Sequence, residues 1–152
     1  MLDTGMVNYT LGIQVQMLAM EELNTAYKGA VIPHWVTQEL ISLNTISNLK
    51  PNFWVRDKKQ SEAGIDLIFS YKEKTIPIEI KSGATGSLKS LHQFIDVSEH
   101  AYAVRVYGGE FKIENAVTPK GKPYLLMNMP YYLATKIPDY IKWFIENNKV
   151  KI

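Results

Sequence analysis

The residues best suited to chemistry are Asp66, Glu79 and Lys81. In an extended strand the side chains at i and i+2 share a face, so Glu79 and Lys81 stand side by side while Ile80 points the other way. A carboxylate and an ammonium group are thereby fixed together. Asp66 belongs to the preceding strand of the same hairpin, and a twisted or bent hairpin brings its carboxylate to Glu79. Two hard oxygen ligands suit Mg²⁺, which takes one or two carboxylates and keeps several waters. Such an ion polarises a phosphodiester and lowers the pKa of bound water, while the adjacent Lys orients or deprotonates the attacking water and offsets developing negative charge. The bland alternative is an exposed ladder of surface charges, since Glu and Lys are common on strand faces. The neighbours weigh against it. Ile65, Leu67, Ile68, Ile76, Ile78 and Ile80 mark both strands as apolar and central, and charge placed inside such strands needs a partner or a task.

The elements that must position these groups follow from periodicity. Gly64–Tyr71 is β-branched and aromatic, as a central strand requires. Lys72-Glu73-Lys74 is a tight polar turn, and Thr75–Lys81 returns as the next strand. With Phe53–Arg56 before them, three sequential strands on short turns make a meander. Ahead of it, Val15 to Ala26 has the spacing of an amphipathic helix that Lys28-Gly29 ends, and a second helix is expected from about Ile32 to Ile46, with Pro33 in its first turn. Ser82–Ser87 reads as a capped strand-to-helix loop, and Leu88, Leu91, Phe94 and Ile95 supply the buried stripe of the helix after it. Ala101–Val106 is a fourth strand, which the intervening helix allows to pair parallel with the third. A short segment at Phe111–Glu114, a strand at Tyr124–Met127 and a C-terminal helix from about Tyr131 to Asn147, interrupted near Pro138, complete the pattern.

Composition bounds the rest. The 152 residues fit one domain with a single core, and 46% of them are apolar. The absence of cysteine removes disulfides, thiolate metal sites and cysteine nucleophiles. No apolar run approaches the ~18 to 20 residues that span a bilayer, and the start lacks the pattern of a secretory signal, so the reading is a soluble, cytoplasmic protein with no membrane partner. The net charge of +2 hides an asymmetry: one Lys against four carboxylates in residues 1–49, and sixteen basic against eleven acidic residues in 50–152. The positive character lies around the meander, either as a solvated face or as a surface for a polyanion.

At this point the chain resembles a known family. Phe53-Trp54 with its basic turn, Gly64-Ile65-Asp66-Leu67-Ile68, Ile76-Pro77-Ile78-Glu79-Ile80-Lys81-Ser82-Gly83 and Ser87–Phe94 look like the PD-(D/E)xK nuclease-like domain found C-terminal to archaeal-type AAA+ ATPases. The opening Leu2–Tyr9 is similar to the segment joining the two parts. The resemblance implies an α/β fold with a restriction-endonuclease-like core, a mixed sheet in helix, meander, helix, strand order with flanking helices, making residues 1–152 one domain at the end of a longer ATPase. Carried over by position, it makes Asp66 the metal-binding Asp, Glu79 and Lys81 the (D/E)xK pair, Glu39 an acidic residue of the first core helix and Gln93 an auxiliary polar residue of the helix after the third strand. Gly64 and Ile65 stand where relatives often carry Glu and Pro, and Pro33 where they often carry a further Glu. The function implied is metal-dependent hydrolysis of phosphodiester bonds, with DNA as substrate, Mg²⁺ or Mn²⁺ as cofactor and an N-terminal AAA+ module as partner. The alternative is a non-catalytic interaction or regulatory domain of that ATPase which keeps the fold, and a third reading is an adaptor that homodimerises through the aromatic C-terminal helix.

Other motifs carry less. Gly83–Ser90 has the outline of a P-loop but places Leu88 where Gly must precede the Lys, which excludes that mode of nucleotide binding. His34, His92 and His100 lack zinc-ligand spacing. Tyr124, Tyr131, Tyr132, Tyr140, Trp143 and Phe144 fit helix-to-sheet packing better than base stacking.

Overall fold

The computed structural model describes residues 4–10, 12, 28–43, 52–55, 64–81 and 86–149. The alternating apolar residues of the meander become β1 (Asn52–Val55), β2 (Gly64–Tyr71) and β3 (Lys74–Ile80), each antiparallel to the next. The turn between β2 and β3 places Lys72 and Glu73 at φ 46° and 61°. This left-handed pair matches the twist of a two-residue hairpin but is a conformation that Asn and Gly adopt at less cost.

Chain reversal through α3 (Lys89–Val97) lets β4 (Tyr102–Tyr107) pair parallel to β3, as expected from the sequence. β6 (Pro123–Pro130) then pairs parallel to β4, and β5 (Lys112–Val117) closes the far edge antiparallel to β6. The result is a mixed six-stranded sheet in the order β1-β2-β3-β4-β6-β5. β6 runs past its expected span at both ends, and β5 begins at Lys112 and runs past Glu114 to Val117, where it pairs with Pro123.

The helices divide between the two faces. α2 (Lys28–Ser42), a 3₁₀ helix (Tyr131–Lys136) and α4 (Ile137–Asn147) cover one face, where Ile32, Val36, Ile76, Ile78, Ile80, Val104, Val106, Met127, Met129, Ile141 and Phe144 are buried together. α3 covers part of the other face, with Leu91, Phe94 and Ile95 on Ile65, Ala103, Tyr124 and Leu126. α1 (Thr4–Thr10) precedes them. The six aromatics weighed above divide by use: Tyr124 and Phe144 are buried, whereas Tyr132 and Trp143 remain exposed, Trp143 beside Tyr140 and Phe111.

Two expectations about α2 need correction, whereas the break near Pro138 is as expected. Lys28-Gly29 opens α2 rather than ending a helix, so Pro33 lies inside α2 instead of in its first turn. A proline there removes one main-chain donor, and the Pro33 carbonyl accepts the Thr37 hydroxyl at 2.7 Å. The C-terminal helix begins as a 3₁₀ turn and becomes α-helical at Ile137, with Pro138 where its missing N–H costs nothing. α3 has no side-chain cap at Leu88, although Ser87 Oγ accepts the Lys89 amide at 3.3 Å. The helix expected over Val15–Ala26 and the loop at 82–85 lie outside the described residues.

Candidate active site

Strict alternation would send Ile65 and Leu67 to the same face. They are buried in opposite clusters, Leu67 beneath α2 and Ile65 beneath α3. The cause is a bulge. Asn52 pairs with Ile68 and Trp54 with Ile65, so Asp66 and Leu67 together oppose one residue of β1. A bulge bends its strand and re-aims the extra side chain. Regular β2–β3 pairing ends at Leu67 and Ile78, and Asp66 Oδ2 takes over by accepting the Ile80 amide at 2.7 Å. The carboxylate thus stands in for a strand carbonyl where β2 departs from β3.

Glu79 and Lys81 project to the α3 face, opposite Ile78 and Ile80 in the other cluster. Lys81 Nζ donates to Glu79 Oε1 at 2.6 Å, and the Lys81 amide donates to the Val106 carbonyl at 2.8 Å, so β4 fixes the backbone beneath the pair. Glu79 is 4% exposed, and its Oε2 is buried without a hydrogen-bond partner among the described residues.

The electrostatics join the three groups. Loss of solvent raises the Glu79 carboxyl above its ordinary range; the Lys81 hydrogen bond opposes this and the Asp66 charge adds to it. Asp66 keeps a solvent-exposed edge, yet desolvation of its inner side also raises it, against the Ile80 amide and the Lys81 charge. Two carboxylates that disfavour each other's ionisation form a site that a cation relieves. The orphaned Glu79 Oε2 and the outer oxygen of Asp66 are hard donors with free lone pairs, which fits a small divalent ion such as Mg²⁺ or Mn²⁺.

The structure therefore brings Asp66, Glu79 and Lys81 together. Among the described residues, no third His, Asp or Glu joins the two carboxylates as a potential metal ligand. Glu39 lies on α2, against the other face of the sheet from Glu79. Gln93 lies on α3, on the Glu79 face, with Oε1 buried and unpartnered. No hydrogen bond or ion pair between described residues ties Glu39 or Gln93 to the other three.

Residues 28–124 match the family described as Domain of unknown function (DUF4143). The chain belongs to that family. The matched region runs from the first residue of α2 into β6 and includes Glu39, Asp66, Glu79, Lys81 and Gln93. No curated protein and no solved structure matches the chain.

The sequence reading passed over two polar residues that share this face. Arg105 is the β4 partner of Glu79, and Asn128 is the β6 partner of Arg105. Asn128 is fully buried. The signal was present: a lone guanidinium in Ala103–Val106 and a lone amide in Leu125–Met129 interrupt apolar strands, as Asp66 and Glu79 do.

Proposed function

We propose that this chain is a PD-(D/E)xK nuclease-like domain with a restriction-endonuclease-like core that hydrolyses phosphodiester bonds, with DNA as its substrate. The observation that carries the reading is the junction of Asp66, Glu79 and Lys81 at the parting of β2 and β3, with Glu79 Oε2 buried and unpartnered. The element order supports it: a helix, an antiparallel meander, a helix and a parallel strand. Asp66 and Glu79 would hold Mg²⁺ or Mn²⁺, which when bound supplies a lowered pKa for water and charge stabilisation at the phosphoryl oxygens. Lys81, fixed by Glu79 and by the β4 backbone, positions the attacking water and offsets the charge that develops on the phosphate. The resemblance extends the reading to an AAA+ ATPase module preceding this domain in the parent protein.

The test is cleavage of supercoiled plasmid and of single-stranded DNA in Mg²⁺ and in Mn²⁺, with Lys81→Ala as the comparison. The native protein is expected to nick or linearise DNA and Lys81→Ala to lose at least about a hundredfold in rate. Failure of the native protein on both substrates with both ions overturns the reading. The second reading, a non-catalytic regulatory domain on the same fold, is favoured by the two-carboxylate site, which lacks a third acidic ligand among the described residues.

A further inference from the structure

Beyond the acidic pair, the α3 face carries a row of polar residues across four strands. Glu79 on β3 is in register with Arg105 on β4, Arg105 with Asn128 on β6, and Asn128 with Lys112 on β5. Neighbouring strands lie about 4.8 Å apart and in-register residues share a face, so the row runs outward from the (D/E)xK pair at one-strand intervals. It occupies the carboxyl ends of the parallel strands β3, β4 and β6, where open α/β sheets bind ligands. The apolar patch under α3 lies lower on the same face, at Ala103, Tyr124 and Leu126.

Within this row Arg105 is prepared and unspent. Its guanidinium carbon lies 4.3 Å from the centre of the Tyr107 ring. That ring is itself fixed, because its hydroxyl donates to the Glu110 carbonyl at 2.7 Å and it lies so near Gly109 that a Cβ there would come within 2.4 Å of it. The guanidinium rests on a braced platform. Among the described residues no carboxylate lies within ion-pair distance of it, and its Nε is buried without a partner. The nearby carboxylate is already committed: Glu114 accepts from Asn128 Nδ2 at 2.9 Å and pairs with Lys112 at 2.7 Å. That bond turns Asn128 Oδ1 the other way, where it too is buried and unpartnered. A fixed guanidinium fork that feels Glu114 only at a distance, with no described carboxylate within ion-pair reach, is a receptor for a phosphate group.

We infer that Arg105, held on Tyr107, binds a backbone phosphate of a polynucleotide whose neighbouring phosphate lies at the Glu79–Lys81 edge. The inference rests on the nuclease reading for its ligand, and it makes Arg105 a positioning residue that sets the path of the strand across the sheet.

The experiment is binding of a fluorescein-labelled oligonucleotide, single-stranded and duplex, by anisotropy in EDTA, so that neither cleavage nor metal enters. The native chain, Arg105→Ala, Arg105→Lys and, as a control on the opposite face, Lys136→Ala are titrated across a salt series. Arg105→Ala is expected to weaken binding about tenfold and to reduce the salt slope by about one, Arg105→Lys to restore the slope and part of the affinity, and Lys136→Ala to change neither. Circular dichroism melts establish that each variant is folded; should Arg105→Ala not fold, Arg105→Gln, which keeps a polar side chain without the charge, is expected to show the same loss of affinity and slope, and an unchanged slope in it overturns the inference. Unchanged affinity and slope in Arg105→Ala, with a lowered melting temperature alone, means that Arg105 and Asn128 satisfy each other or water, and overturns the inference. So does absence of DNA binding by the native chain. Calorimetric titration with Mn²⁺ separates the two proposals: binding that Asp66→Asn abolishes keeps the nuclease reading when the Arg105 result is negative, and no Mn²⁺ binding removes that reading while leaving an Arg105-dependent DNA contact standing.

Discussion

The face of the sheet beneath α3 has two ends built on opposite terms. At the lower end, Leu91, Phe94 and Ile95 close over Ile65, Ala103, Tyr124 and Leu126, and polar atoms pair with one another: His92 Nε2 meets the Tyr124 hydroxyl at 2.9 Å, Thr118 donates to Asp96 at 2.6 Å, and both ring nitrogens of His100 are used, with Gln93 Oε1 on α3 the exception among the described residues. At the upper end, Glu79, Arg105 and Asn128 each leave a buried polar atom without a partner. Buried polar atoms normally find partners, and leaving them unmade costs free energy. The lower end is built for stability, and the upper end gives up stability at the edge to which we assign a ligand.

The widest separation between the ends should come from truncating one residue in each. Leu91→Ala removes a fully buried side chain and is expected to cost about 2–5 kcal/mol in urea unfolding, with cleavage per folded molecule unchanged. Lys81→Ala should abolish the proposed cleavage out of proportion to its cost in stability, which is the loss of the hydrogen bond to the buried Glu79 carboxylate. A loss of activity in Leu91→Ala beyond its unfolded fraction would collapse the division.

The two ends should also respond to pH with opposite signs. The folded-state pKa values of Asp66 and Glu79 are raised, so the folded chain holds more protons than the unfolded one between the ordinary carboxylate values, near 4, and the raised ones. Stability from this end falls as pH rises through that window. Asp66→Asn keeps an acceptor for the Ile80 amide and removes the charge; a melting temperature higher by about 1–2 °C at pH 8, vanishing in acid, is expected, the gain being small because the carboxylate is partly exposed. His100 is the lower end's counterpart. Its Nε2 faces the Thr75 carbonyl at 2.7 Å and must donate, and its Nδ1 accepts the Tyr102 amide at 3.3 Å, which fixes a neutral tautomer. Burial lowers its pKa, so its stabilising contribution is present above about pH 6.5 and lost as pH falls through the depressed folded value. Melts of His100→Gln from pH 8 to 5 should show a shallower acid decline than the native chain. The smallest effect lies outside both ends: Glu73→Gly, at φ 61°, should stabilise by about 0.5–1 kcal/mol in urea unfolding, or be neutral if the gain is offset by unfolded-state entropy.

Much of this was legible in the residues. Gly64–Tyr71 is the observed β2 without adjustment, and the parallel β4 follows from a helix standing between two strands. Asp66, Glu79 and Lys81 stand out because charges interrupt apolar strands. The bulge that delivers Asp66 was not legible, since it exists only in the pairing of β1 with β2 and reverses the face of Ile65 against local alternation. The start of α2 was missed for a related reason: Lys28-Gly29 has the composition of a helix stop, and packing of Ile32 and Val36 on the sheet outweighs it. The row through Arg105 and Asn128 required the register of four strands, which no single segment carries.

The bond from the Ile80 amide to Asp66 has one more consequence. An amide whose acceptor is a titratable side chain, in place of another peptide group, carries the state of that side chain in its own proton. The Ile80 N–H resonance should move with the Asp66 titration and move again when a cation draws charge from the carboxylate. One backbone signal in the middle of the sheet would then report on the site directly, without a substrate, a label or a mutation.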